Sequence, residues 1–268
     1  MSEKIPLISW NNQSISHATL GTVQLGMNYG IANTSGQPSV ETANTILEAA
    51  HQSGITHLDT AQGYAESESI IGSLVSDSRP FQIITKCHPK LDPTNTGSIS
   101  ENFSSSLATL NTSCVWGLML HNQDWLDHWN TLGPLLQGFK DAGKLKYLGA
   151  SVYSVDRAIE ALNNPDISFI QIPCNIWDRR MITGGVLEQA KSLNKLCFIR
   201  SIYLQGLLIM YPNEIQKKLP QAHSLAVVWE SALQQTDVSP KEIAFHFAKN
   251  LGCPLVIEIG RAWCRERV

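Results

Sequence analysis

The stretch THLDTAQGYAESESIIGSLVSD, residues 56–77, contains one complete unit of an apolar strand, a polar loop and a helix. The run THLDTA is short and apolar, whereas SESIIGSLVSD has the spacing of a short amphipathic helix. The same alternation recurs along the whole chain. The apolar runs are ATLGTVQLG, THLDTA, FQIITKC, VWGLMLH, YLGASV, FIQIPC, CFIRSI and CPLVI.

Helical segments separate these apolar runs. In SVETANTILEAAHQSG, Ser39 is a suitable N-cap and Gly54 a suitable C-terminal stop. The same pattern predicts helices in WNTLGPLLQGFKDAG, SVDRAIEALNN, GGVLEQAKSLN and SPKEIAFHFAKNLG, and residues 203–235 read as a long loop that carries extra helix.

Strands that alternate with helices predict βαβ units and a parallel sheet. Eight such strands in 268 residues favour a closed (β/α)8 TIM barrel of the α/β class over an open doubly wound sheet. The first strand is not followed by GxGxxG, which also disfavours the open dinucleotide-binding fold. The opening IPLISWNNQSISHATLG predicts a short N-terminal hairpin that turns at NNQS.

Composition excludes several classes of function. A net charge of −3 leaves no basic surplus for nucleic acid, and no apolar run approaches the roughly 20 residues of a membrane span. The six cysteines are scattered without a CxxC pair, which indicates reduced thiols and a cytoplasmic location. The dispersed histidines predict no metal site. Oligomeric state is not indicated by any pattern.

Unusual polar side chains stand at the ends of predicted strands. Asp59 ends the second strand, Lys86 the third and His121 the fourth, and Tyr64 follows shortly after Asp59. In a TIM barrel such strand ends form the active-site mouth. Taken singly, each residue has a structural interpretation: an ion pair between Asp59 and Lys86, a packed aromatic ring and a buried histidine.

Taken together, the same residues predict a site for carbonyl reduction. A lysine beside a phenol favours the phenolate, so we expect Lys86 to lower the pKa of Tyr64 from its usual value of about 10. Tyr64 would donate a proton to a carbonyl oxygen, His121 would orient that oxygen, and Asp59 would hold the lysine. A hydride donor is still needed, which implies a nicotinamide cofactor.

These residues resemble the Asp-Tyr-Lys-His tetrad of the aldo-keto reductases in chain order and strand placement. The resemblance extends to the flanking motifs LGTVQLG, GKLKYLGASVYS, FIQIPCNIWDRR and RSIYLQGLL. It implies reduction of an aldehyde or ketone to an alcohol, or the reverse, with NADP(H) or NAD(H) on a (β/α)8 barrel. Tyr64 would be the general acid and a small carbonyl compound the substrate.

The resemblance also implies cofactor contacts at five positions. Gly21 and Thr22 would approach the cofactor after the first strand, Ser151 and Gln171 would bind the nicotinamide carboxamide, and Ser201 would lie near the pyrophosphate. Two positions depart from the family pattern. Val152 replaces an asparagine found in many members, and Arg200 stands where an aromatic residue often stacks on the nicotinamide.

Two other interpretations remain open at this point. The same barrel can bind a nicotinamide cofactor as a sensor or partner subunit with little turnover. An unrelated barrel lyase or isomerase would use Lys86 as a Schiff base. Substrate specificity is expected in residues 203–235, with Trp125 and Trp177 either as walls of the pocket or as helix-packing residues.

The final residues EIGRAWCRERV, residues 258–268, break the pattern, because a barrel needs a loop and an eighth helix after CPLVI. They differ at one position from EIGRASCRERV, the translation of a common sequencing adapter. We therefore expect a single domain over residues 1–257 and an artefactual tail over 258–268 in place of a normal eighth helix. Such a chain would be impaired in binding the adenosine half of the cofactor. A natural short basic tail is the alternative.

Overall fold

The computed structural model describes residues 4–258, and within this range it confirms the (β/α)8 barrel and the N-terminal hairpin. Eight parallel strands close in the order β10-β3-β4-β5-β6-β7-β8-β9, and β1 pairs with β2 in a separate antiparallel hairpin. The strands are β1 (Leu7–Trp10), β2 (Gln13–Ser16), β3 (Ala18–Gly21), β4 (His57–Asp59), β5 (Gln82–Lys86), β6 (Val115–Leu120), β7 (Leu145–Ser151), β8 (Ile167–Pro173), β9 (Leu196–Arg200) and β10 (Leu255–Glu258).

Helices follow the barrel strands and cover them from outside. They are α1 (Val23–Gly26), α2 (Val40–Gln52), α3 (Ser67–Leu74), α4 (Thr96–Thr109), α5 (Trp129–Asp141), α6 (Val155–Asn163), α7 (Arg180–Thr183), α8 (Val186–Ser192), α9 (Pro212–Lys218), α10 (His223–Leu233) and α11 (Pro240–Lys249). Short 3-10 turns lie at Gln123–His128, Leu204–Ile209 and Pro220–Ala222.

The hairpin closes the end of the barrel opposite the mouth. Asn11 and Asn12 both have positive φ, at 51° and 60°, and they join a pair in which Trp10 faces Gln13. This is the geometry of a two-residue type I′ turn, which asparagine tolerates better than most residues. The Trp10 ring packs 6.0 Å from Trp116 in the cluster that fills the barrel interior.

Helix boundaries follow the capping signals in the sequence. Helix α2 begins after Ser39, whose hydroxyl accepts from the Thr42 amide, as predicted. Helix α11 begins with Pro240 after a capping box formed by Ser239 and Glu242. Each of these contacts satisfies backbone N–H groups that the first turn of a helix leaves free.

Helix α4 is absent from the sequence-based prediction. Its serine-rich sequence TGSISENFSSSLAT has the composition of a loop. The helical signal is the spacing of Ile99, Phe103 and Leu107, four residues apart, and all three are buried. A single apolar stripe is therefore sufficient to bury this helix against the barrel.

Two layers of apolar side chains fill the fold, because successive strand residues point to opposite faces. The larger cluster lies between the strands and the helices, and a smaller aromatic cluster that includes Phe169 and Phe198 fills the barrel interior. A third cluster, which includes Leu207 and Ile215, lies within residues 203–235 and confirms that this segment carries extra helix.

The residues expected to replace the eighth helix of the barrel lie almost entirely beyond the described range. Of the expected artefactual tail, only Glu258 is described, as the last residue of β10, and 259–268 lie outside. Within the described range, no helix is long and apolar enough to cross a membrane. Cys87, Cys114, Cys174, Cys197 and Cys253 are free thiols.

Candidate active site

Lys86 is the centre of the polar cluster at the barrel mouth. It is 1% exposed at the end of β5, and its Nζ donates to Asp59 Oδ1 at 2.9 Å and to Oδ2 at 2.8 Å. The same ammonium donates to the Thr60 carbonyl at 2.9 Å and reaches the Tyr64 hydroxyl at 3.3 Å. Asp59 and Lys86 lie on adjacent strands, so the barrel itself fixes the pair.

Tyr64 reaches this cluster from the turn between β4 and α3. Its amide donates to the Ala61 carbonyl, and its own carbonyl accepts from the Ser67 amide. Gly26 packs against this turn so closely that a Cβ at residue 26 would lie 1.8 Å from the Tyr64 carbonyl oxygen. The position of the phenol therefore depends on a glycine in α1.

His121 completes the cluster from the end of the barrel strand β6. Its ring lies 5.8 Å from the Tyr64 ring, centroid to centroid, with the planes 87° apart. Its Nδ1 is buried and has no hydrogen-bond partner in the described part of the chain. The structure thus brings together all four residues that the sequence assigned to one site: Asp59, Tyr64, Lys86 and His121.

The expectation that Lys86 lowers the pKa of Tyr64 is wrong for the chain by itself. Burial raises the pKa of Tyr64 well above its usual value, and the nearby Asp59 charge raises it further. The reason is that burial removes the water that would stabilise a phenolate, and the Asp59 carboxylate beside it repels the negative charge. Tyr64 is accordingly a neutral phenol, which is the form that can donate a proton.

Burial also sets the charge of the other two groups. It lowers the pKa of Lys86, and the Asp59 carboxylate opposes that shift. Burial, followed by the charge of Lys86, lowers the pKa of His121 to about 3. His121 is therefore a neutral imidazole at neutral pH, able to donate one N–H without bringing a charge.

Ser151 and Gln171 lie side by side at the mouth, paired in register across β7 and β8, and each is 1% exposed. Gln171 Nε2 donates to Asp59 Oδ1 at 2.9 Å. This contact was not anticipated from the sequence. It gives Gln171 a place in the hydrogen-bond network of the tetrad.

Gly21 and Thr22 end the first barrel strand. The Thr22 hydroxyl and amide both donate to the Asp59 carbonyl, at 2.9 and 3.0 Å. Ser67 Oγ donates to the Thr22 carbonyl at 3.0 Å. A Cβ at Gly21 would lie 3.1 Å from Glu258 Cγ, so this glycine packs closely against β10. Thr22 thus connects β3, β4 and α3 beneath the cluster.

Ser201 follows β9 in a left-handed conformation, with φ of 59°, and its carbonyl accepts from Asn175 Nδ2 at 3.2 Å. It lines a cavity of about 730 Å³. Gln24, Tyr29 and Gly206 line the same cavity, which therefore extends from the strand ends over the loop after α1. This volume lies within the range typical of small-molecule and cofactor pockets, roughly 300–1,000 Å³.

Two further side chains lie at the mouth that the sequence did not assign to the site. The guanidinium carbon of Arg200 lies 4.2 Å from the centre of the Tyr153 ring, and Arg200 Nη1 donates to Ser201 Oγ at 3.2 Å. In the sequence, Arg200 could have been recognised as a residue of the mouth because it departs from the family pattern at that position. For Tyr153, the sequence gives only its position two residues after Ser151, which does not by itself indicate a role at the mouth.

The two candidate wall tryptophans have different positions. Trp125 is 3% exposed within the outer core cluster, so it is a packing residue. Trp177 meets Trp229 edge to face, with ring centroids 6.3 Å apart, and so connects the loop after β8 to helix α10. The described residues also hold no group of three or more side chains placed to bind a metal ion.

Solved structures share this fold. A Pseudomonas aeruginosa protein assigned as an aldo-keto reductase has a TM-score of 0.73 at 18% identity, covering 96% of this chain and 91% of that one. The holo form of aldo-keto reductase AKR11C1 from Bacillus halodurans has a TM-score of 0.72 at 21% identity, covering 96% and 86%. At these identities the likeness establishes the fold.

Curated relatives are similar in sequence over about 60% of their own length. Aldo-keto reductase YhdN of Bacillus subtilis is 28% identical over 204 residues, covering 72% of this chain and 60% of YhdN. The NADH-specific methylglyoxal reductase of Escherichia coli is 27% identical over 212 residues, covering 67% of this chain and 61% of that reductase. The model of the aldo/keto reductase family matches residues 19–257. The chain belongs to the aldo/keto reductase family.

Proposed function

We propose that this protein catalyses NAD(P)H-dependent reduction of an aldehyde or ketone to an alcohol, or the reverse reaction, with Tyr64 as general acid. One observation carries the proposal: the Lys86 ammonium contacts both the Asp59 carboxylate and the Tyr64 hydroxyl, the latter at 3.3 Å, beside the ring of His121. Family membership supports the same chemistry. The proposal concerns a single domain over residues 1–257 in a cytoplasmic protein.

The residues have distinct roles in this proposal. Tyr64, kept neutral by burial, donates its hydroxyl proton to the carbonyl oxygen as negative charge develops there. His121 donates a neutral N–H to the same oxygen and fixes its orientation. The Lys86 ammonium stabilises the tyrosinate left behind, and Asp59 prevents the lysine from swinging away.

The mouth also fits a dinucleotide cofactor. Ser151 and Gln171 present neighbouring buried polar side chains beside the tetrad, suited to the nicotinamide carboxamide. The cavity of about 730 Å³ opens beside Ser201 and gives room for the remainder. Gly21 and Thr22, at the end of β3, are the proposed cofactor contacts after the first barrel strand. The nicotinamide, when bound, supplies the hydride, which no side chain can supply.

The geometry disfavours a Schiff-base role for Lys86. Its Nζ is buried and donates to Asp59, to the Thr60 carbonyl and toward Tyr64, so the amine has no lone pair free for attack while these contacts persist. Borohydride reduction in the presence of a carbonyl compound tests this directly. We expect no substrate mass to be trapped on Lys86.

The experiment that tests the activity is oxidation of NADH and of NADPH, followed at 340 nm, over a panel of aldehydes and ketones. Methylglyoxal belongs in the panel because a relative is named for its reduction. We expect turnover of at least one carbonyl compound and a preference for one cofactor. Tight cofactor binding without turnover of any compound would instead favour a sensor or partner subunit.

A further inference from the structure

Cys197 and Cys253 lie side by side where the adjacent strands β9 and β10 begin, at the end of the barrel opposite the mouth. The two strands run parallel with Leu255 opposite Ile199, and the Ile199 amide donates to the Pro254 carbonyl at 2.8 Å. Cys253 and Cys197 come two residues earlier on each segment, so the strand period places them on the same face. Cys197 belongs to the outer apolar cluster, and Cys253 packs against that cluster.

The two thiols contact each other directly. The Cys197 thiol donates a hydrogen bond to the Cys253 sulfur, which also lies 3.6 Å from the Leu251 carbonyl oxygen. Neighbouring strands lie about 4.8 Å apart, within the roughly 4.4–6.8 Å between Cα atoms that a disulfide spans. A bond between the two sulfurs therefore requires little movement of the backbone.

The two thiols differ in accessibility and in acidity. Cys197 is 4% exposed, whereas Cys253 is partly exposed and follows the exposed Gly252. The hydrogen bond from Cys197 lowers the pKa of the Cys253 thiol, against the opposing effects of burial and of the Glu188 charge. The same hydrogen bond raises the pKa of Cys197, and burial raises it further. Because the thiolate is the reactive form, Cys253 is the thiol that an oxidant reaches first.

A bond between these sulfurs would fasten the shortest strand pairing in the described barrel. Strand β10 pairs with β3 over four residues, but with β9 at one position alone, Leu255 opposite Ile199. The chain between Cys197 and Cys253 includes residues 203–235 and helix α11, so the bond would also close a long loop. Closing a loop reduces the conformational freedom of the unfolded chain and so favours the folded one.

We propose that Cys253 and Cys197 form a reversible disulfide when the protein meets hydrogen peroxide. The Cys253 sulfur attacks one peroxide oxygen, the O–O bond breaks, and water leaves with the thiol proton, which gives a sulfenic acid. The Cys197 sulfur then attacks the Cys253 sulfur, the S–O bond breaks and a second water leaves. The two thiols together lose two electrons and two protons, which reduce one peroxide to two waters. This chemistry is independent of the reductase reaction and uses none of its residues.

Variants assign the two roles. Cys197→Ala should leave Cys253 as a sulfenic acid, so labelling of Cys253 by dimedone after peroxide should rise at least about tenfold over wild type. Cys253→Ala should slow the loss of the Cys197 thiol to peroxide at least about tenfold. Cys114→Ala is the matched control, because Cys114 is also a partly exposed free thiol, and the bridge should form in it at the wild-type rate. Loss of the Cys197 thiol at the wild-type rate in Cys253→Ala would contradict the proposed order of steps.

The deciding measurement uses the wild-type chain alone. The folded protein is treated with a small excess of hydrogen peroxide, its remaining thiols are alkylated, and its peptides are mapped by mass spectrometry. We expect one linked pair of peptides that contain Cys197 and Cys253, lighter than their sum by two hydrogens and released by dithiothreitol. The bridged protein should also unfold at a higher urea concentration than the reduced protein. Alkylation of both cysteines after peroxide treatment, or a bridge from Cys253 to a different cysteine, would overturn the proposal.

Discussion

Gly26→Ala tests whether the turn that carries Tyr64 is held in place by close packing. A Cβ at residue 26 would lie 1.8 Å from the Tyr64 carbonyl oxygen and 2.5 Å from the Ser67 amide nitrogen. Backbone atoms do not approach a real Cβ within 3.0 Å, so the turn must move by at least 3.0 − 1.8 = 1.2 Å. Gly26 lies outside the left-handed region, so alanine adds bulk without adding backbone strain.

The expected consequence is a loss of rate greater than the loss of stability. A shift of 1.2 Å applied to the 3.3 Å contact between Lys86 Nζ and the Tyr64 hydroxyl is enough to break it. A displacement of about 1 Å at a reacting group can cost on the order of 100-fold in rate, and overpacking costs about 1–3 kcal/mol of stability. We therefore expect kcat to fall about 100-fold while the chain remains folded.

The assay pairs kcat for one aldehyde with the urea midpoint of unfolding. Gly138→Ala is the matched control, because that glycine lies within α5 and a Cβ there would meet no atom within 4 Å. We expect this control to keep full activity and to gain up to about 1 kcal/mol in stability from helix propensity. A Gly26→Ala variant with wild-type kcat would refute the close-packing argument.

Further perturbations test the electrostatics. Lys86→Met should lower the free energy of unfolding in urea by about 3–5 kcal/mol, because it leaves the buried Asp59 carboxylate without its ion-pair partner. Adding Asp59→Asn should recover part of that loss. A loss below about 1 kcal/mol for Lys86→Met would contradict the pairing. The imidazole of His121 should stay neutral down to pH 5 by nitrogen NMR, and a titration near its ordinary pKa would contradict the burial argument. His57 is buried, with its ring 4.8 Å from that of Trp116 in the barrel interior, and burial lowers its pKa to about 4. The contribution of neutral His57 to the free energy of unfolding is complete above the unfolded-state pKa near 6.5. It falls as the pH drops toward 4, by about 2 kcal/mol at pH 5. His57→Asn should remove this part of the loss of stability in acid.

The barrel, and the meeting of Asp59, Tyr64, Lys86 and His121 at its mouth, could be predicted from sequence because both depend on local patterns. Apolar runs that alternate with amphipathic segments specify the strands and helices, and the parity of side chains along a strand puts Lys86 at the mouth. Helix α4 was missed because its serines resemble a loop, although the spacing of Ile99, Phe103 and Leu107 was visible.

Other features depend on distances between segments far apart in the chain, which no local pattern contains. The raised pKa of Tyr64 reflects how deeply the ring is buried, and the sequence supplies only the identity of its charged neighbours. The bond from Gln171 to Asp59 spans 112 residues, and the contact of Gly26 with the Tyr64 turn joins two separate βα loops. Arg200 stood out in the sequence only as a departure, and its stacking on Tyr153 required coordinates.

The central claim is that the Tyr64 hydroxyl supplies the proton for carbonyl reduction. Tyr64→Phe removes that oxygen alone and leaves the ring, so its kcat and its NAD(P)H affinity should be measured together. We predict that kcat falls roughly 100- to 10,000-fold while the cofactor dissociation constant changes less than about twofold. A variant that retains kcat within threefold of the wild-type value would contradict the account.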